Sequence, residues 1–160
     1  MPYADVNKLT AIPDHIARIQ NLETLHLDYN HLSSISESIA QLPHLKYLSL
    51  FENYTLTALP SAMFPIPNLQ QLNLGECSIS ELPDTIGECQ QLKVLMLPMT
   101  KISGLPESIG QCKCLEEIDL SFTPLQALPS TLSHCSKLKK LSIWSTKVRE
   151  LPPGLEGCPL

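Results

Sequence analysis

The residues of this sequence that could do chemistry are, first, cysteines that recur at a fixed spacing. Cys89, Cys112, Cys135 and Cys158 follow one another at intervals of 23 residues. Four thiols in such a row could bind a metal ion, form disulfides, act as nucleophiles or fill space in a core. A tetrahedral zinc site needs ligands that converge, usually from C-x₂₋₄-C pairs, whereas one thiol in each repeat makes a line.

The position that these cysteines occupy is apolar elsewhere in the chain. Leu42 and Ile66 stand at the same point of earlier repeats. Free cysteine packs as a small hydrophobic residue, so we interpret the row as part of a core. Cys112 and Cys114 form a lone C-x-C in which Cys114 is predicted to be exposed. We therefore expect neither a metal site nor disulfides.

Other catalytic signatures are missing from the sequence. It contains no phosphate-binding glycine loop, no H-E-x-x-H and no G-x-S-x-G. The five histidines are scattered over different repeat positions, and none is placed beside a nucleophile as a catalytic triad requires. The nearest pair, His26 and Asp28, is interpreted as a surface coincidence. The sequence thus predicts a protein that is not an enzyme and binds no cofactor.

Composition limits the partners and the compartment. The net charge of −5 over 160 residues gives no electrostatic footprint for nucleic acid or for an anionic membrane. No apolar run is long enough to span a membrane, and the start of the chain does not resemble a secretory signal. We therefore expect a cytoplasmic protein with reduced cysteines, or one in the host cytosol if it is a secreted effector.

The elements that must position these residues are repeats that cover the chain. A partial repeat at 1–21 precedes six repeats at 22–44, 45–68, 69–91, 92–114, 115–137 and 138–160. Five of the six are 23 residues long, and the second has one extra residue near Tyr54. We therefore expect a single domain over residues 1–160, in which a repeat is stable only against its neighbours.

Each repeat predicts one strand and one short convex segment. The pattern is L-x-x-L-x-L-x-x-(N/C/T)-x-L-x-x-L-P-x-x-I-x-x-C. Its x-L-x-L stretch alternates as a strand with one buried face does, and strands that recur after every crossover must be parallel. The proline is expected to begin a short helix or 3₁₀ turn, at Pro60, Pro83, Pro106, Pro129 and Pro152. Gly87 and Gly110 are expected to suit the end of that turn.

This pattern resembles the leucine-rich repeat family over residues 7–160. Its LPxSIGxC tail is similar to the 23-residue class of intracellular Ras-group scaffolds, plant immune receptors and bacterial effectors. The resemblance implies an α/β repeat solenoid, a curved arc with a parallel β-sheet on its concave face and short helical or 3₁₀ segments on its convex face.

The resemblance also implies that an inward Asn joins the bends of adjacent repeats through hydrogen bonds. That position holds Asn7, Asn30, Asn53, Cys77, Thr100, Thr123 and Thr146. Threonine has fewer hydrogen-bonding groups than asparagine. We therefore expect partly different hydrogen bonds and a changed local bend in the later repeats.

The strand residues that face away from the core are the candidate binding residues. Five of the eight aromatic residues are predicted to stand there, which is the composition of a binding hot spot. The candidates are Asp28, Tyr29, Tyr47, Phe51, Glu52, Glu76, Val94, Met96, Met99, Asp119, Phe122 and Trp144.

These candidates form two patches. The apolar patch comprises Val94, Met96, Pro98, Met99, Phe122 and Trp144, and the acidic-aromatic patch comprises Asp28, Tyr29, Tyr47, Phe51, Glu52 and Glu76. A neighbouring outward position alternates in charge and predicts cross-strand ion pairs, as in Lys93–Glu116–Lys139.

The function expected from these features is non-catalytic binding of another protein on the concave sheet. The alternative is a recognition fragment of a larger signalling protein or secreted bacterial effector whose activity lies in another domain. Association end to end through uncapped terminal repeats is a further possibility, because repeat arrays need polar caps.

Overall fold

The computed structural model of the chain describes residues 8–155. Its strands form one open six-stranded parallel sheet in the order β1-β2-β3-β4-β5-β6. They are β1 Thr24–His26, β2 Tyr47–Ser49, β3 Gln71–Asn73, β4 Val94–Met96, β5 Glu117–Asp119 and β6 Lys140–Ser142. One strand falls in each predicted repeat, and equivalent residues pair in register, as Leu48 does with Leu72. The predicted repeat solenoid with a parallel sheet is confirmed.

Each three-residue strand turns its middle residue inward. In β2, Leu48 is fully buried between two residues whose side chains lie on the opposite face. Leucines and isoleucines from the other inward positions complete one continuous core along the solenoid. Each fully buried leucine or isoleucine contributes about 1.5–3 kcal/mol, and much of that burial is provided by the neighbouring repeat.

Short 3₁₀ segments form the side opposite the sheet. They are Asp14–Arg18, Glu37–Gln41, Ser61–Met63, Asp84–Glu88, Glu107–Gln111 and Ser130–His134. A proline precedes five of them, and Pro106 shows its extended geometry with φ −67° and ψ 147°. Its missing N–H would have no intrahelical acceptor there. The prediction for Pro60, Pro83, Pro106 and Pro129 is confirmed, whereas Pro152 leads only into a turn.

Gly87 and Gly110 lie within these segments for a reason that differs from the predicted one. Neither ends its segment in a left-handed conformation. A β-carbon on Gly87 would lie 2.4 Å from the carbonyl oxygen of Ser108, and one on Gly110 would lie 2.4 Å from that of Thr131. Glycine is required because consecutive 3₁₀ segments approach each other too closely for a side chain.

The inward asparagines join neighbouring repeats, as expected. The Asn53 amide donates to Leu50 O at 2.8 Å and to Leu27 O of the preceding repeat at 3.0 Å. Its Oδ1 accepts from Leu32 N–H at 3.1 Å. Asn30 Oδ1 accepts from Leu9 N–H in the same way, at 3.0 Å. Backbone groups that would be buried without partners are thereby satisfied.

The later repeats replace this network, and the predicted change of hydrogen bonds is confirmed. Thr100 donates to Leu97 O at 2.9 Å and Thr146 to Ile143 O at 2.9 Å, each within its own repeat. Cys77 is intermediate, since its thiol donates across to Leu50 O at 3.2 Å. Asn7, Cys158 and the outer parts of the first and last predicted repeats lie outside the described residues. No helix within residues 8–155 is long and apolar enough to cross a membrane.

Candidate functional site

The outward face of the sheet, with the residues that directly follow each strand, carries the predicted binding residues; we call it the sheet face. Its exposed side chains include Tyr29, Met99, Phe122 and Trp144, with exposed fractions of 43%, 56%, 59% and 74%. Tyr47, Phe51, Val94 and Met96 are half-buried. Large apolar side chains therefore meet solvent on this face, while leucine and isoleucine fill the core.

One row of the sheet face has an unusual backbone. Three residues beyond each strand, the chain adopts φ between 54° and 60°, at Tyr29, Glu52, Glu76, Met99, Phe122 and Ser145. The row is part of a hydrogen-bond ladder, since Met99 N–H donates to Ser121 O and Tyr29 N–H to Phe51 O, both at 2.9 Å. A left-handed conformation costs a residue with a β-carbon about 1–2 kcal/mol. Glycine or asparagine would suit this row better than Phe122 or Met99.

The two predicted patches approach each other at Gly75. Tyr29 and Phe51 stack edge to face with ring centroids 5.6 Å apart. Phe51 Cδ2 and Pro98 Cγ each lie 3.1 Å from the point where a β-carbon on Gly75 would stand. Because Gly75 has no side chain, Phe51 of the acidic-aromatic patch and Pro98 of the apolar patch can both lie close to it.

Tyr54 belongs to this surface, although the sequence analysis did not select it. Its hydroxyl lies 2.9 Å from Glu52 Oε2 and 2.9 Å from Glu76 Oε2. These two carboxylates raise the pKa of Tyr54 well above its usual range. The extra residue of the second repeat was the available signal, because an insertion beside an outward strand end places one additional side chain on that face.

Asp28 and Asp119, two predicted binding residues, bond to the sheet face itself. Asp28 Oδ1 accepts from Phe51 N–H at 2.9 Å and from the Ser49 hydroxyl. Asp119 Oδ1 accepts from Ser121 N–H at 2.8 Å. Ser49 lies on the same face of β2 as Tyr47, yet it is only 1% exposed. Asp28 helps to shield it, so both aspartates shape the strand ends.

His26 and Asp28, the nearest candidate pair, form a contact of 3.4 Å between Nδ1 and Oδ2. The His26 ring also packs against Tyr47, with centroids 4.8 Å apart. Within the described residues, no group of three or more His, Cys, Asp or Glu is arranged to hold a metal ion.

Cross-strand ion pairs neutralise much of the remaining charge near the sheet. Lys46 bonds Glu23 at 2.9 Å, and Lys139 bonds Glu116 at 2.8 Å. The hydrogen bond from Lys139 lowers the pKa of Glu116. The predicted pairing of Lys139 with Glu116 is confirmed. Lys93 forms no ion pair with Glu116 among residues 8–155, and acts on it only at longer range.

The cysteine row is part of the core. Cys89, Cys112 and Cys135 are 1%, 0% and 3% exposed, and burial raises the pKa of each thiol, that of Cys112 to about 12. A thiol so rarely ionised is a poor nucleophile. Cys114 is half-buried, not exposed as predicted, and accepts from Lys137 Nζ at 3.7 Å.

Comparison with known families agrees with this architecture. Two models described as leucine-rich repeat match the chain, at residues 5–54 and 68–89. The comparison with curated proteins gives no match. The family matches support assignment to the leucine-rich repeat family, and the fold is that of a leucine-rich repeat solenoid.

Solved structures show the same fold with different ligands. A leucine-rich repeat protein of Leptospira interrogans is 28% identical with a TM-score of 0.88, over 93% of this chain and 38% of that one. The plant peptide hormone receptor RGFR1 in complex with RGF2 is 29% identical with a TM-score of 0.79, over 93% and 25%. A TLR13–ssRNA13 complex is 27% identical with a TM-score of 0.83, over 94% and 23%. This chain therefore spans less than half of each of these structures.

Proposed function

We propose that this chain is a non-catalytic protein-binding module and that its sheet face holds the partner. The observation that carries the proposal is the pair Met99 and Phe122. Both are large, apolar and more than half exposed, and both occupy left-handed positions where such residues reduce stability. Neither burial nor backbone conformation favours them there, whereas binding does.

Trp144 supports the same surface. It is 74% exposed, and its carbonyl accepts from Phe122 N–H at 2.6 Å, so the two residues are adjacent on neighbouring strand ends. Tryptophan is enriched among residues that dominate binding energy at protein interfaces.

Proteins of the same fold bind ligands of two classes. The plant peptide hormone receptor RGFR1 was solved in complex with RGF2, and TLR13 was solved in complex with ssRNA13. The surface of this chain favours protein. Its net charge is −5, and the carboxylates of Glu52 and Glu76 on the sheet face would repel phosphates.

The test is a double variant, Phe122→Asn with Trp144→Ser, used as bait in a pull-down from cells that express the chain. Proteins retained by the wild type should be lost by the double variant, because its apolar contact area is removed. Its melting temperature should stay the same or rise, because Asn tolerates the left-handed conformation. Ser145→Asn, in the same backbone row, is the matched control and should retain the partner. Undiminished capture by the double variant would reject the sheet face as the site.

A second proposal is that recognition by this chain is one part of a longer protein, either a signalling protein or a secreted effector of the 23-residue class. This proposal is favoured because the chain covers at most 38% of each of the three solved structures described above. An antibody to the chain should then detect a protein larger than 17.7 kDa in cells. We place that protein in the cytosol, where the thiols of the described residues remain reduced.

A further inference from the structure

We infer that the sheet face takes an extended segment of a partner protein in which a basic side chain stands three or four residues from a large apolar one. This inference rests on the proposed function and adds the chemistry of the partner. The basic side chain binds between Glu52 and Glu76, and the apolar one lies against Phe122 and Trp144.

The basic side chain is inferred from two carboxylates that share one donor. Glu52 and Glu76 follow adjacent strands, and both lie 2.9 Å from the hydroxyl of Tyr54. A phenol carries one proton, so it can donate to only one of the two carboxylates at a time. A guanidinium or an ammonium group would supply the missing donors.

No cation of the described chain already fills this role. Glu23, Glu116 and Glu117 each have a lysine within 2.9 Å. Within residues 8–155, neither Glu52 nor Glu76 has a lysine, arginine or histidine at ion-pair distance. The sheet face therefore pairs its other glutamates internally and leaves this couple to an external charge.

The apolar side chain is inferred from the opposite end of the face. Met99, Phe122 and Trp144 are the most exposed apolar side chains beside β4, β5 and β6. Lys140, the nearest basic residue on β6, is bonded to Glu117 at 2.6 Å. Apolar side chains dominate this end, where the carboxylate of Asp119 on β5 accepts from Ser121 N–H at 2.8 Å, so we place the apolar side chain of the partner here.

Apolar side chains border the surface between the two ends. Phe51 and Pro98 converge over Gly75, which lies between the carboxylates and the apolar end. Neighbouring strands are about 4.8 Å apart, so the two or three steps from Glu76 to Phe122 and Trp144 span about 10–14 Å. An extended chain covers this distance in three or four residues at about 3.3 Å each.

The experiment uses phage-displayed random 12-residue peptides as probes against the immobilised wild-type chain at physiological ionic strength. Enriched peptides should carry Arg or Lys three or four positions from Trp, Phe, Leu or Met. The same selection is run on Glu52→Gln/Glu76→Gln and on Phe122→Asn/Trp144→Ser. The first variant should lose the basic preference and keep the apolar one, and the second the reverse.

A synthetic copy of the most enriched peptide gives the magnitude. Replacement of both glutamates should weaken its binding about ten- to hundredfold, the range for hydrogen bonds to charged groups, and should remove its salt dependence. Glu23→Gln, which removes a lysine-paired glutamate, should leave the affinity unchanged.

The outcomes separate this inference from the proposed function. If the enriched peptides need Phe122 and Trp144 but show no basic preference, the inferred basic side chain is wrong and the binding face stands. If no peptide is enriched, the inferred extended segment is wrong, and the binding face still stands. Peptides that bind equally to both variants would overturn both. A 12-nucleotide oligouridine that bound through Phe122 and Trp144 would show that the partner is RNA and would also overturn the inference.

Discussion

The two halves of the solenoid differ in the residues that join one repeat to the next. In the first half, Asn30 and Asn53 reach into neighbouring repeats at the bend that follows the strand. In the second half, Thr100 and Thr146 bond only within their own repeats at that bend. In that half, Gly87 and Gly110 allow consecutive 3₁₀ segments to approach closely on the side of the solenoid opposite the sheet.

This difference teaches that the 23-residue period fixes the core but not the means of joining one repeat to the next. An inward amide contributes through hydrogen bonds to buried backbone groups. A glycine contributes by removing a side chain, so that the next segment packs more closely. Either device stabilises a nearest-neighbour interface, on which the stability of a repeat array depends.

The largest effect is expected from Asn53→Ala in the first half. This change leaves Leu32 N–H without its side-chain partner and removes one hydrogen bond each from Leu27 O, which keeps Asn30, and from Leu50 O, which keeps the Cys77 thiol. The unsatisfied N–H costs about 1–3 kcal/mol and each of the two lost hydrogen bonds about 0.5–1.5 kcal/mol, so the free energy of unfolding should fall by about 2–6 kcal/mol. Urea denaturation followed by circular dichroism measures it.

The matched variant in the second half is Thr100→Ala, which removes one bond to Leu97 O. It leaves that buried carbonyl without its side-chain donor and should cost about 1–3 kcal/mol, less than Asn53→Ala, which breaks two further hydrogen bonds. Equal losses from the two substitutions would show that the halves do not differ in how the bend is stabilised.

Gly110→Ala should have the next largest effect, and it tests the second half. The new β-carbon would stand 2.4 Å from Thr131 O, a backbone atom that moves only if the two 3₁₀ segments separate. Overpacking of this kind costs about 1–3 kcal/mol, and the loss should appear as a lower melting temperature. In Gly104→Ala the β-carbon meets nothing within 4 Å, so this control should be as stable as the wild type. If Gly110→Ala were as stable as the wild type, close packing of the 3₁₀ segments would not be what joins these repeats.

The outcome for these glycines shows what sequence reasoning can establish. Their place in the segment was readable from the repeat, because the pattern x-L-P-x-x-I-G recurs. Their role was not, because a close approach involves an atom of the next repeat, such as Ser108 O. Sequence periodicity assigns a residue to a position, but the distance between neighbouring segments follows from all the side chains between them.

The same limit applies to the sheet face. The repeat pattern was enough to predict that Phe122 and Trp144 face outward, since both stand at variable positions of the repeat and not at its leucine positions. It did not predict that Asp28 would cover Ser49, or that Tyr54 would join Glu52 to Glu76. Contacts between side chains of adjacent repeats depend on rotamers, and an insertion has no equivalent in the other repeats from which to infer its direction.

The smallest effect is expected from the cysteine row, which occupies the second half where the first half has Leu42 and Ile66. Burial raises the pKa of Cys112 from 9.0 to about 12, so its folded pKa lies above the unfolded one. Its contribution to stability is therefore complete below pH 9 and is lost between pH 9 and about 12, as the unfolded thiol ionises and the folded one does not. The difference in unfolding free energy between wild type and Cys112→Ala, measured by urea denaturation at several pH values, should shrink over that range. At pH 8, iodoacetamide should modify half-buried Cys114 well before Cys112, as read by peptide mass spectrometry, because Cys112 is fully buried and burial raises its pKa and so lowers its thiolate fraction. Rapid modification of Cys112 in the folded protein would mean that the interface around this thiol opens readily, and the second half would then be the looser of the two.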